Sequence, residues 1–192
     1  MADYCEADVP SQTGKTAFVT GANTGIGYDT ARVLAQRGAK VLIGCRTEER
    51  AVAAISKIKE ETPYADLKWI ELDLADLSSI KAAAENVNKE PALDILINNA
   101  GVMVPPRTLT KDGFELQFGV NHLGHFALTG QVLQKLMSTP KARIVNVSSN
   151  AHKGGEIFYD DLTAEKKYSR IKRYQMSKFA NISFTYHLQK KL

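Results

Sequence analysis

Five short apolar runs recur along the chain: TAFVT (16–20), KVLIG (40–44), LKWIEL (67–72), DILIN (94–98) and RIVNVS (143–148). They mostly do not alternate apolar with polar, which is the pattern of strands covered on both faces and hence of a parallel sheet. Helical candidates lie between and after them at about 26–37, 47–61, 77–88, 112–137 and 174–191. That alternation implies right-handed βαβ units and an α/β fold built on a doubly wound parallel sheet, with helices on both faces. One irregular stretch, from Asn150 to Arg173, follows the fifth run. Doubly wound sheets bind ligands beyond the carboxyl ends of their strands, so substrate contact is expected there.

The chain has 192 residues, 44% hydrophobic and 24% charged, which suits one soluble domain over 1–192 preceded by a polar extension at 1–14. Its uncharged apolar stretches are strand-sized, short of the roughly 18 to 20 residues that span a bilayer. The opening MADYCEADVPSQTGK has neither a basic start nor an apolar stretch, so it does not read as a secretion signal. Cys5 and Cys45 are the only cysteines, giving no disulfide framework and no metal-ligand cluster, and a reducing, cytoplasmic compartment is expected. The net charge of +4 is modest, and the one basic run, KKYSRIKR at 166–173, reads as a solvated loop. Without interleaved stacking aromatics it gives no nucleic-acid signal.

The first run leads directly into TGANTGIGYDTARVL. Gly21, Gly25 and Gly27 allow a tight turn and a close approach to a pyrophosphate, at which the next helix aims its N-terminal amides. The spacing GxxxGxG is not that of a P-loop, since no Gly-Lys-Ser/Thr follows, so nucleotide hydrolysis is not expected. After the second run come Cys45 and Arg46, with no acid to take a free ribose 2′-hydroxyl. A basic residue there accommodates a 2′-phosphate, so NADP (NADPH) is expected in preference to NAD.

A second kind of signal is Tyr-x-x-x-Lys, which places a phenol and an ammonium on one helix face, where the charge favours the ionised phenol. It occurs at Tyr64/Lys68, Tyr168/Lys172, Tyr174/Lys178 and Tyr186/Lys190. Spacing alone does not choose among them.

Together these residues resemble the short-chain dehydrogenase/reductase family. TGANTGIG at 20–27, Asp73-Leu74 after the third run, NNAG at 98–101, Asn121 in VNHLG, Ser148-Ser149 and YQMSK at 174–178 fall in the family's order. IVNVSSNAH and YQMSKFANI are most similar to the branch of retinol dehydrogenases, the WW-domain oxidoreductase and protochlorophyllide reductase. The resemblance implies a Rossmann-type NAD(P)-binding domain and hydride transfer between nicotinamide and a small-molecule carbonyl or alcohol. It implies a catalytic set of Asn121, Ser149, Tyr174 and Lys178. Tyr174 would exchange a proton with the substrate oxygen, Lys178 would hold the nicotinamide ribose, Ser149 would bond the substrate oxygen and Asn121 would hold a water. The implied cofactor contacts are Gly21, Asn23, Thr24, Gly25, Ile26, Gly27, Arg46, Asp73 near the adenine, Leu74, Asn99, Ala100 and Gly101, with Tyr174 and Lys178.

The other pairs then fall away. Tyr64/Lys68 enters a strand, where a spacing of four does not align side chains as a helix does. Tyr186 lies about 18 Å along a helix from Tyr174 at 1.5 Å per residue, too far to share its pocket. Tyr168/Lys172 sits among arginines that suggest solvent exposure, whereas Tyr174/Lys178 opens a helix followed by the compact Phe179-Ala180-Asn181-Ile182. The single choice between the adjacent Ser148 and Ser149 rests on the resemblance. His122 and His125 read as structural, Trp69 as core, and Met103 with Pro105-Pro106 as loop packing.

The family pattern ordinarily continues beyond the active-site helix with two more strands and a substrate-covering segment. The expectation here is a sheet that ends at the fifth strand, either because the sequence is a fragment or truncated product or with its edge covered by a partner chain or a second copy. An alternative to the enzyme is an NADP-binding interaction module or truncated product with little or no catalysis.

Overall fold

The computed structural model describes residues 4–192; the first three residues of the expected polar extension lie outside the described residues. The sheet is built of β1 (Thr16–Thr20), β2 (Lys40–Cys45), β3 (Leu67–Glu71), β4 (Ile95–Asn98) and β5 (Arg143–Asn146). All pairings are parallel, in the order β3-β2-β1-β4-β5. The chain winds outward from β1 through β2 and β3, then returns to β4 on the other side of β1. The carboxyl ends of β1 and β4 therefore form the topological switch point at which such sheets place ligands.

Alternate side chains of the strands feed two cores. Phe18, Leu42 and Leu96 face one side, packed with Ile80, Ala84 and Val87 of α3 (Leu77–Asn88) and with Leu128, Val132 and Leu136 of α5 (Gly124–Ser138). Val19, Val41, Ile43 and Ile97 face the other, with Ala31 and Ala35 of α1 (Gly25–Gln36) and Ala51, Ala54 and Ile58 of α2 (Glu48–Glu61). Small alanines on α1 and α2 let those helices approach the sheet closely, while the branched strand residues fill the interior. Trp69 is half-buried against the second core, and its indole donates to the Cys45 carbonyl at 3.2 Å.

Three elements differ from the sequence expectation. The helix expected over 112–137 is divided into a short α4 (Leu116–Phe118), a π turn (Gly119–Leu123) and α5. Buried Glu115 opens it by accepting the N–H groups of Gln117 and Phe118. The last helix, α6 (Arg170–Gln189), begins four residues before Tyr174, because the Ser169 hydroxyl caps it by accepting from the Lys172 N–H. The connection over 150–169 is ordered by two 3-10 turns, Asn150–Gly154 and Tyr159–Asp161. No helix among the described residues is long and apolar enough to cross a membrane.

Candidate active site

A cleft of about 410 Å³ opens at the switch point, lined by Gly21, Asn23, Thr24, Ile26 and Gly27 on one side. Cys45, Arg46, Arg50, Asp73, Leu74 and the segment Asn99 to Val102 complete it. Gly21 has φ +67°, and a Cβ there would sit 3.0 Å from Ala100. A Cβ on Gly27 would collide with the Gly21 carbonyl and the Asn99 amide. Backbone thus forms the wall that the phosphates of a dinucleotide require. The amino end of α1 is directed into it, and the Thr24 hydroxyl, at the N-cap, makes no capping bond of its own. Ile26 exposes 71% of its surface at the mouth.

The far wall of that cleft is a β1–β4 junction. Asn99 donates through its amide to the Thr20 carbonyl at 2.9 Å, fixing the NNAG turn against the end of β1. Asp73 accepts from the Ala75 N–H, and its own N–H donates to the Ser79 hydroxyl, which holds the loop after β3 against α3. Arg46, just after β2, and Arg50, in the first turn of α2, both line the cleft, and neither side chain has a carboxylate within 4.0 Å or a hydrogen bond among the described residues. Arg50 escaped the sequence reading; it lies in the first turn of α2, four residues after Arg46, which precedes the helix.

At Gly101 the cleft meets the second group of side chains. A Cβ there would lie 3.1 Å from Asn121 Oδ1 and 3.6 Å from Lys178 Nζ. Lys178 Nζ stands 5.7 Å from the Tyr174 ring centroid and donates to the Val147 carbonyl at 3.3 Å. Burial pushes the Lys178 ammonium below the ordinary lysine range. The Tyr174 phenol makes no hydrogen bond among the described residues, leaving it open to an incoming oxygen.

The serines divide their work. Ser148 donates to the Lys178 carbonyl at 2.8 Å and so tacks β5 to α6, while Ser149 accepts the Ala151 N–H and keeps its own proton. Both atoms of the Asn121 amide are engaged: Oδ1 accepts from the Val102 N–H, and Nδ2 donates to the Val102 carbonyl and the Ser177 hydroxyl. Its main-chain oxygen faces a ring nitrogen of His125 at 3.1 Å.

The other tyrosines stand apart. Tyr64 and Tyr186 are 78% and 70% exposed, and Lys68 is paired with Glu90. Tyr168, expected in solvent, is instead half-buried: its hydroxyl donates to the Pro105 carbonyl and accepts from buried Gln117. The basic run is likewise not wholly solvated. Arg173 is 3% exposed, pairs with Asp161 at 2.6 Å, donates to the Lys167 carbonyl and lies over the Phe158 ring. Buried Gln117 also accepts from the Val104 N–H and donates to the Arg170 carbonyl, joining the loop after NNAG to the start of α6.

The fold and the cleft define a Rossmann-type α/β protein. The short chain dehydrogenase family profile matches residues 15–192. Retinol dehydrogenase 12 of Homo sapiens is 51% identical over 180 residues, covering 93% of this chain and 57% of that protein. Retinol dehydrogenase 13 of Homo sapiens is 49% identical over 181 residues, covering 93% and 55%. A crystal structure of an uncharacterized protein from Mycobacterium paratuberculosis superposes with a TM-score of 0.88 at 44% identity, over 98% of this chain and 66% of that one. A short chain dehydrogenase from Shigella flexneri 2a str. 301, complexed with NADP, gives 0.75 at 26% identity over 93% and 72%. The chain belongs to the short-chain dehydrogenase/reductase family, in its retinol dehydrogenase branch, and spans a little over half the length of the curated relatives it matches.

Proposed function

We propose that the chain carries the NADP(H)-binding and proton-transfer machinery of an oxidoreductase that interconverts an alcohol and its carbonyl compound. The observation that carries this reading is the meeting at Gly101 of the glycine-walled cleft with the Lys178–Tyr174 helix face. The cleft fits a dinucleotide: its backbone walls suit a pyrophosphate, and Arg46 and Arg50 stand free at one end for a 2′-phosphate. Bound nicotinamide supplies or accepts the hydride.

The chain's own residues do the rest. Tyr174 gives its phenolic proton to a carbonyl oxygen on reduction and takes it back from the hydroxyl on oxidation. Lys178, with one donor used by Val147, has two left for the ribose hydroxyls. Ser149 donates its free proton to the substrate oxygen, and Asn121 holds a water beside Lys178. Asp73 and Leu74 border the adenine, and Asn23, Thr24, Gly25 and Ile26 the phosphates. The names of the relatives make retinal and retinol the first probes.

Tyr174→Phe is expected to abolish NADPH-dependent reduction of retinal while leaving NADPH affinity within about threefold, since the phenol acts in the chemical step. Turnover retained by that variant would sink the assignment. NADPH binding by the unaltered chain without hydride transfer to retinal or simple aldehydes would favour an interaction module.

A further inference from the structure

The Thr20 hydroxyl, at the end of β1, accepts the N–H of Asn99 at 2.9 Å and of Ala100 at 3.0 Å. It also lies 2.8 Å from His125 Nε2, while the other ring nitrogen, Nδ1, faces the Asn121 carbonyl at 3.1 Å. Thr20, Asn121 and His125 are all buried, at 0%, 0% and 3% exposure. A carbonyl only accepts, so Nδ1 must bear a proton. In a neutral ring Nε2 is then bare and, at 2.8 Å, accepts the Thr20 proton in preference to the Ile97 carbonyl, which lies at 3.4 Å. The ring belongs to the first turn of α5 and folds back onto the π turn, where the helix is widened at Asn121. Asn121 in turn donates to Ser177, the neighbour of Lys178, at 3.0 Å.

We infer that His125 is a positioning residue: as a neutral, Nδ1-protonated imidazole it ties the cofactor turn at Thr20, Asn99 and Ala100 to Asn121. Through Asn121 and Ser177 it sets the spacing between that turn and the Tyr174–Lys178 wall. Transfer of a hydride and a proton to one carbonyl needs the cofactor turn and the Tyr174–Lys178 face in register, so a displacement on the order of 1 Å between them slows chemistry far more than it weakens binding. Burial holds the ring neutral against the bond to the Asn121 carbonyl, with the Lys178 charge adding to it, and its pKa is lowered to about 4. The functional half of this inference rests on the activity proposed above.

Imidazole nitrogen resonances of the full chain labelled with ¹⁵N give the tautomer directly. A protonated Nδ1 and a bare Nε2, unchanged between about pH 8 and pH 5.5, are expected. The opposite tautomer, or titration near the ordinary histidine value, overturns the inference. His125→Asn keeps a donor near the Nδ1 position and His125→Leu keeps none. The Leu variant should lose about tenfold or more in kcat with KM and NADPH affinity little changed, and the Asn variant, which restores only the Asn121 end, should recover part of it. Equal losses in the two variants would count against the bridge. Should the unaltered chain bind NADPH without turnover, the proposed activity fails, and the inference is decided by the tautomer and by the amide resonance of Val102. That resonance should shift in the Leu variant and stay in place in the Asn variant; a Val102 signal unmoved by His125→Leu overturns it.

Discussion

Arg46, at the end of β2, and Arg50, in the first turn of α2, both line the cleft, so a 2′-phosphate would meet two guanidinium groups. Both arginines are exposed and make no ion pair among the described residues, so neither has to abandon a carboxylate there to bind. Arg50→Ala is expected to cut the preference for NADPH over NADH about tenfold, the loss of one charge-assisted bond worth roughly 1.5 kcal/mol. Dissociation constants for the two cofactors at fixed salt measure this, and an unchanged ratio would place Arg50 outside the site. His125 makes a prediction of a different kind. Burial lowers its imidazole from 6.5 to about 4, so below pH 6.5 the unfolded chain takes up a proton that the folded chain refuses. Its contribution to stability is full above pH 6.5 and falls as the pH drops towards 4, by about 1.4 kcal/mol per unit. Urea midpoints at pH 7 and pH 5 should therefore diverge more in the unaltered chain than in His125→Asn. Arg46 was legible because it follows a strand end directly; Arg50 was hidden inside a helix whose other charges face solvent.

Among the elements, the strands were legible and the helix starts less so. Branched, unalternating runs announce strands covered on both faces, and β1 stands where TAFVT placed it. Periodicity does not register a π turn, which adds a residue without interrupting the apolar pattern, so the break at Asn121 was invisible. The start of α6 was missed because its first turn is the basic stretch RIKR, whose charge suggested a loop. In the structure Ser169 caps that turn and Arg173 is drawn inward by Asp161, whose carboxylate also accepts the N–H groups of Glu165, Lys166 and Lys167. One ion pair therefore fixes both the loop and the helix turn that carries Tyr174. Arg173→Met is expected to lower the thermal midpoint by several degrees and to open the 155–169 segment to proteases. Cleavage kinetics like those of the unaltered chain would show the loop held by other contacts. Tyr168, which shares the Tyr174 spacing, serves here as an anchor between Pro105 and Gln117.

On the scale of the whole molecule, the sheet has two outer strands, β3 and β5. Val145 on β5 is 47% exposed, and Ile144 borders a groove with Leu133, Leu136, Met137 and Leu188. The sequence indicated this edge by its count of apolar runs, while the groove arises only when α5 and α6 converge on it. The cofactor cleft has another global property. Thr20 meets Asn99, Ala100 and His125 across sequence separations of 79, 80 and 105 residues, and Asn121 meets Ser177 across 56. Closing such distant contacts is the slow part of folding, whereas helices form locally and early. In refolding from denaturant, recovery of NADPH-binding competence should therefore lag recovery of the far-ultraviolet circular dichroism. Coincident traces would mean that the cleft forms with the first helices. A ligand that recognises this cleft consequently recognises chains whose β1, β4 and α5 have already met, and it passes over those still assembling.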